Sequence, residues 1–281
     1  MRVITISRTY GSGGSLFGRK LAERLGYRYV DEGFIAKMKT NKEASAVLML
    51  NLEDEKSPGF LDSILDLMHN KSYFRIALAV ALYDLVLRED IVVVGGGGHL
   101  ILQDFPLKIS VQIYRNLFDR VQDISREKGI GHSEALDLIE KMDKGKKRFI
   151  SYYFDNELFD PTAFHITLNA SKVSIDDAVD LVESYCGRYF ERIDPIQAES
   201  FAAAKLLEKR AQLAVFHLKL IRSGKVSFEV LEPRVLVVKG IIGGNEDKER
   251  LLKALRSLKG VDTLIDQLKT GVLSRMLRML Y

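Results

Sequence analysis

Apolar and polar residues change period several times along this chain, and each change marks an element. Residues 3–6 form a short β-branched run, and after a glycine-rich break apolar positions recur at helical spacing from residue 16 to residue 25. The order is strand, glycine loop, helix. Residues 27–30 read as a second strand. Residues 73–88 are apolar almost all round, the pattern of a buried helix. Ile91–Val94 is a continuous apolar strand suited to a parallel sheet covered on both faces, and the four glycines at 95–98 end it. Residues 109–114 and 165–168 add two more strands, with helical segments between and after them. Strands alternating with helices predict right-handed crossovers and an open, doubly wound parallel sheet of the α/β class.

Ser174 followed by Asp177 resembles a capping box and predicts a helix to about residue 189, closing a first domain over 1–188. The pattern resets at Asp194 and Pro195, which predicts a linker over 189–200. Beyond it we read a helix over 201–222, strands over 226–231 and 234–242, a helix over 245–258 and a strand over 261–268. This is a small α+β domain, 201–281, of order α-β-β-α-β. Val235, Leu236, Val237 and Val238 ask for cover on both faces of their strand, and two helices cover one. The other face is expected to dock on the first domain or on a second copy in a homo-oligomer. Residues 272–280 read as a short basic amphipathic helix, packed on its own domain or meeting a membrane surface or partner.

Composition sets bounds on this picture. A chain of 281 residues with 47% apolar content can bury two cores. Its longest apolar stretch, 76–87, is interrupted by Asp84 and falls short of the roughly 20 residues of a membrane-spanning helix. The N-terminal residues lack the apolar core of a secretory signal, so a cytoplasmic location is expected. Cys186 is the one cysteine, and the five histidines show no ligand spacing, so neither a zinc site nor a thiol nucleophile is expected. Charge is uneven. Residues 1–188 hold 25 Lys and Arg against 27 Asp and Glu, whereas the remainder holds 17 against 11. The basic excess serves solubility or attracts an anionic partner, with nucleic acid not the expected one.

The break between the first strand and helix carries the candidate chemistry. A loop leaving a strand and opening a helix turns several backbone N–H groups toward one point, where the helix N-terminus adds partial positive charge. Glycines let the backbone approach phosphate oxygens closely. Gly11, Ser12, Gly13, Gly14 and Ser15 are therefore the expected phosphate cradle, although a tight strand-to-helix turn also selects glycine.

Residues 6–14 read Ile6-Ser7-Arg8-Thr9-Tyr10-Gly11-Ser12-Gly13-Gly14, which resembles the modified P-loop of the cytidylate kinase-like family, I-S-R-x-Y-G-S-G-G. Further similar segments are Tyr29-Val30-Asp31, the glycine turn into His99, Asp119-Arg120, Asp143-Lys144 with the basic residues after it, and Leu168-Asn169-Ala170-Ser171. Together they cover most of residues 1–188. The resemblance implies a P-loop kinase-like fold, ATP and Mg²⁺ as cofactors, and transfer of the γ-phosphoryl group to a nucleoside monophosphate such as CMP. It places Arg8, Arg120, Lys146 and Arg148 as catalytic cations, the last three in or near a lid. Ser15 takes the hydroxyl slot that touches Mg²⁺ in ordinary P-loops. Asp31, Gly96 and Gly97 fall at the substrate site. Plainer readings stand beside these: a solvated helix face for the basic run, a strand-end turn for Asp31, and a turn packed against the first loop for residues 95–98.

The chain also departs from the patterns. Arg8 and Gly14 replace the first glycine and the lysine of an ordinary P-loop, and the family shares the missing lysine. Ser15 and Gly96 stand where the family carries Arg. A second reading follows, in which the protein is catalytically impaired and senses a nucleotide or ligand. Residues 203–270 resemble a BON domain, a non-catalytic module, which implies binding of a small ligand, a lipid surface or a protein partner.

Overall fold

The computed structural model describes residues 1–31, 70–158, 160–218, 220, 224–232 and 234–271. The tail read as a basic amphipathic helix lies outside the described residues. Two compact units emerge, Met1–Ala198 and Glu199–Tyr281.

In the first unit five strands, β1 (Val3–Arg8), β2 (Arg28–Asp31), β3 (Ile91–Val94), β4 (Lys108–Tyr114) and β5 (Ile166–Asn169), pair in the order β2-β3-β1-β4-β5, all parallel. The continuous apolar run of β3 is buried along its whole length, as a doubly covered parallel strand requires. Helix α1 (Gly14–Leu25) buries Phe17, Gly18, Leu21 and Ala22, the stripe that helical spacing produces, and ends at Gly26 with φ 68°. A Cβ on Gly18 would lie 2.6 Å from Val94 Cγ2 and 3.0 Å from Ile6 Cδ1, so glycine there lets α1 seat directly on β1 and β3. Helix α2 (Lys71–Val86) is apolar almost all round and mostly buried, and Asn70 Oδ1 caps it by accepting from Tyr73 N–H at 3.1 Å. Helix α3 (Gly98–Ile101) follows the glycine turn, then come α4 (Leu117–Lys128), α5 (His132–Phe154) and α6 (Ile175–Phe190). Ser174 Oγ accepts from Asp177 N–H at 3.1 Å, so the capping residue read from sequence caps α6.

The linker expected over 189–200 is instead four residues between two helices. Helix α7 (Pro195–His217) begins six residues before the expected start. Pro195 has no N–H to satisfy in a first turn, and Asp194 Oδ1 accepts from Ile196 N–H at 2.9 Å, so the break in pattern is a helix start. In the second unit β6 (Gly224–Glu232), β7 (Val235–Ile242) and β8 (Thr263–Thr270) form a sheet of order β6-β7-β8, antiparallel then parallel, with α8 (Asn245–Arg256) between β7 and β8. Leu236, Val238 and Ile242 pack with Leu207 and Ala211 of α7, Leu251 and Leu255 of α8, and Leu268. Val237, alternate to these, is also buried, while Leu231, Ile241 and Ile265 stay exposed. Gly240 has φ 124°, and a Cβ there would collide with the Lys225 carbonyl across the ladder.

The two faces of the large sheet differ. Ile4, Ile6, Ile109, Val111 and Ile113 alternate with Thr5, Ser7, Lys108, Ser110 and Gln112, all of them buried. The sequence reading had not anticipated this polar layer. Lys108 Nζ donates to the His99 carbonyl at 3.3 Å, and Gln112 Nε2 donates to the Leu158 carbonyl at 3.4 Å. Ser110 N–H donates to His165 Nδ1 at 3.1 Å. Burial, with the Lys108 charge as a lesser cause, pushes His99 from 6.5 down to about 4, and its ring stacks on Phe164 at 4.9 Å. The unfolded chain therefore binds more protons than the folded one between pH 6.5 and 4, so stability present above pH 6.5 is lost as pH falls through that window. Through His99 the loss reaches up to about 3 kcal/mol. Urea titrations at pH 7.5, 6.0 and 4.5 should give a distinctly shallower fall for His99→Leu than for the wild type, and parallel curves would contradict the assignment.

Candidate phosphate site

Strand β1 stops pairing one residue past Arg8, where Thr9 N–H donates to the Ile113 carbonyl at 3.2 Å. Gly11 and Gly13 then take φ of 72° and 80°, the left-handed region that a Cβ disfavours. Ser12 is buried, and its Oγ donates to the Thr9 carbonyl at 2.9 Å. Gly13 is the N-cap of α1, no side chain caps that end, and the first turn carries no acid. The partial positive charge of the helix terminus is thus not neutralised by its own first turn. A Cβ on Gly14 would lie 2.5 Å from Arg8 Cβ and 3.0 Å from Arg8 Cγ, so the arginine stem crosses directly over that glycine. Ser15 is exposed in the first turn. The five cradle residues and Arg8 are accordingly brought together.

On the β2 side, Asp31 ends its strand opposite Val94. Tyr29 is half-buried, and desolvation raises its pKa, opposed by a hydrogen bond from Arg19 and, more weakly, by the charge of Arg8. The Arg19 guanidinium lies 5.1 Å from the centre of the Tyr29 ring. Arg19 is thus held at Tyr29, two residues before Asp31 on the same strand. Arg19 was not singled out from the sequence. Its signal was the single helical turn separating it from Ser15, which puts both on one face.

The glycine turn after β3 is tied to the end region of β1. Gly95 N–H donates to the Ile6 carbonyl at 2.9 Å. Gly95, Gly96 and Gly97 have φ of 82°, 62° and 73°. Gly96 and Gly97 are buried, and the Phe154 ring lies where a Cβ on Gly97 would go.

The basic run of α5 is divided by helix geometry. Lys146 Nζ sits 5.6 Å from the centre of the Tyr10 ring, at the edge of the loop. Arg148 is exposed and lies about 140° around the helix from Asp143, so the two side chains leave α5 in different directions. Arg120 of α4 is buried, and Nη1 donates to the Tyr10 carbonyl at 2.9 Å and to Asp143 Oδ2 at 2.6 Å. Asp143 Oδ1 accepts from Tyr10 N–H at 2.8 Å. In this arrangement Arg120 holds the outside of the loop. Asp143 was noticed in the sequence only as part of a similar segment, an acid inside a basic stretch.

A five-stranded parallel sheet in this order, with a glycine loop opening a helix at the end of its central strand, defines the P-loop kinase class. Residues 3–172 match the model of the Cytidylate kinase-like family, and the chain belongs to that family. A cytidylate kinase of Sulfurisphaera tokodaii is 25% identical over 184 residues, which span 65% of this chain and 94% of that one. The crystal structure of an uncharacterized protein from Eubacterium ventriosum aligns with a TM-score of 0.50 at 22% identity, covering 66% of this chain and 99% of the other, a likeness of fold. Among the described residues no helix is long and apolar enough to cross a membrane.

Helix propensity alone favours Ala over Gly by about 1 kcal/mol. The contact with Arg8 reverses the sign at position 14: Gly14→Ala should destabilise by about 1 to 3 kcal/mol through overpacking. Urea unfolding measures this, and a variant as stable as the wild type would show that the Arg8 stem does not cross Gly14.

Proposed function

We propose that the first unit binds ATP with Mg²⁺ and transfers the γ-phosphoryl group to a nucleoside monophosphate such as CMP. The observation that carries this reading is the uncapped N-terminus of α1, reached through a loop in which Gly11 and Gly13 take positive φ and Gly14 leaves no room for a Cβ. The backbone N–H groups of Gly11 to Ser15 hold the phosphates, and the helix terminus favours their charge. Arg8, above Gly14, and Lys146 of α5, beside Tyr10, are the cations that replace the absent P-loop lysine, whereas Arg148 leaves α5 on another side and is not among them. Ser15 Oγ would hold Mg²⁺, which would supply charge neutralisation at the phosphates. Asp31, with Gly96 and Gly97 on the neighbouring strand end, faces the acceptor. Loose phosphoryl transfer needs positioning and charge neutralisation rather than a side-chain nucleophile.

A second reading is favoured by two positions. Ser15 and Gly96 stand where the family pattern carries Arg, and Gly96 is buried with φ 62°, so no guanidinium enters from either place. In that reading nucleotide occupancy is sensed rather than turned over. In both readings the second unit is a BON-like binding module for a small ligand, a lipid surface or a protein, including a second copy of the chain. The α-β-β-α-β order supports it. A cytoplasmic location suits either.

Calorimetric titration with ATP and Mg²⁺, then a coupled assay across the common nucleoside monophosphates, separates them. Binding with turnover, highest on CMP, is the expected outcome. Binding without turnover would establish the sensor, and no binding would end both readings.

A further inference from the structure

We propose that Arg120 and Asp143 are a positioning pair that sets the shape of the phosphate loop through Tyr10 and thereby couples α5 to that loop. Tyr10 is the first residue beyond the β1–β4 ladder, since the last bond of that ladder is made by Thr9. One residue later Gly11 turns into the left-handed region. The orientation of the Tyr10 peptide groups therefore decides where the amides of Gly11 to Gly14 point, and no strand holds them.

The pair does. Asp143 uses its two oxygens on two partners, Tyr10 N–H at 2.8 Å and Arg120 Nη1 at 2.6 Å, while the same Nη1 reaches the Tyr10 carbonyl at 2.9 Å. Both peptide groups of one residue are thus gripped by one ion pair, whose members come from α4 and α5. The two side chains are only 10% and 15% exposed, so separating them leaves a charge out of water without a partner. Ile124 Cγ1 and Arg120 Cβ lie 3.2 Å and 3.7 Å from where a Cβ on Gly11 would be, so α4 also closes on the loop itself. Lys146, one turn past Asp143 on α5, rests over the Tyr10 ring. The N–H and the ring of Tyr10 are therefore both held from α5, and a displacement of α5 must move the start of the loop.

This assigns Asp143 a role and changes that of Arg120 from a group touching the transferring phosphate to one acting through Tyr10. Its effect on nucleotide affinity rests on the phosphotransferase reading, whereas its effect on loop order does not. In the full-length protein, Asp143→Ala should raise amide hydrogen exchange at Tyr10 to Gly14 by about tenfold or more relative to the amides of β1. Asp143→Asn keeps an oxygen for Tyr10 N–H but loses the charge, and should fall between Asp143→Ala and the wild type. Calorimetry with ATP and Mg²⁺ should show Kd weakened by about tenfold for Asp143→Ala, and turnover should show a raised KM for ATP with a smaller change in kcat. Arg120→Lys should recover part of what Arg120→Met loses. Unchanged loop exchange in Asp143→Ala, or a rise matched by the core amides, overturns the proposal. So does a fall in kcat for Arg120→Met with loop exchange and KM unaltered, which would put Arg120 on the phosphoryl group. Should the wild type bind no nucleotide, the functional reading fails, and exchange at Tyr10 to Gly14 still decides the pair.

Discussion

Helix α1 lies so close to the sheet that two of its positions leave no room for a Cβ, Gly14 against the stem of Arg8 and Gly18 against Val94 and Ile6. This contact places the helix N-terminus directly over the end of β1. An α-helix bearing ordinary side chains packs about 10 Å from a sheet and would carry its terminus away from the strand end. The short loop from Thr9 to Gly13 can then span the gap only with glycines in the left-handed region at 11 and 13. Strand, loop and helix terminus thus depend on one packing constraint.

Charge is distributed in keeping with that geometry. The apolar face of the sheet, under α1, carries Arg8 at its end, while the opposite face holds a buried polar layer from Lys108 to Gln112. Burial pushes Lys108 from 10.5 to about 8, against the opposing charge of Asp104, and burial, with the Lys108 charge as a lesser cause, lowers His99 and His165. Cationic groups in this layer are destabilised, whereas at the loop Arg120 is compensated by Asp143. Cationic groups are therefore treated differently on the buried face of the sheet and at the loop. Ion pairs between α1 and α6, Lys20 with Asp176 and Arg24 with Asp180 and Glu183, are solvent-exposed and contribute roughly 0.2 to 1 kcal/mol each.

The second unit follows a simpler rule. Alternation along β6 and β7 turns Val226, Phe228, Leu236 and Val238 toward α7 and α8, and Gly240 appears where a side chain would strike the neighbouring strand. Its exposed Leu231, Ile241 and Ile265 lie on a face that alternation turns away from those helices.

Local sequence determined the elements of this protein. The β-branched run of β1, the apolar β3, the stripe of α1 and the Ser174 cap are short-range signals, and their physics is complete within a few residues. The glycine loop at the end of β1 was legible for the same reason, since a strand, a glycine loop and a helix in succession allow few geometries. The start of α7 at Pro195 was written locally too, as a capping Asp before a proline, and was misread as a linker. What only the tertiary structure decided were contacts between residues far apart in the chain. Arg120 and Asp143 meet Tyr10 from more than a hundred residues away, Gln112 reaches the Leu158 carbonyl, and Phe154 closes over Gly97. No periodicity records such pairings, because each follows from which helix crosses which strand. The division of cations between the glycine loop and the buried layer accordingly became visible only when the chain was folded.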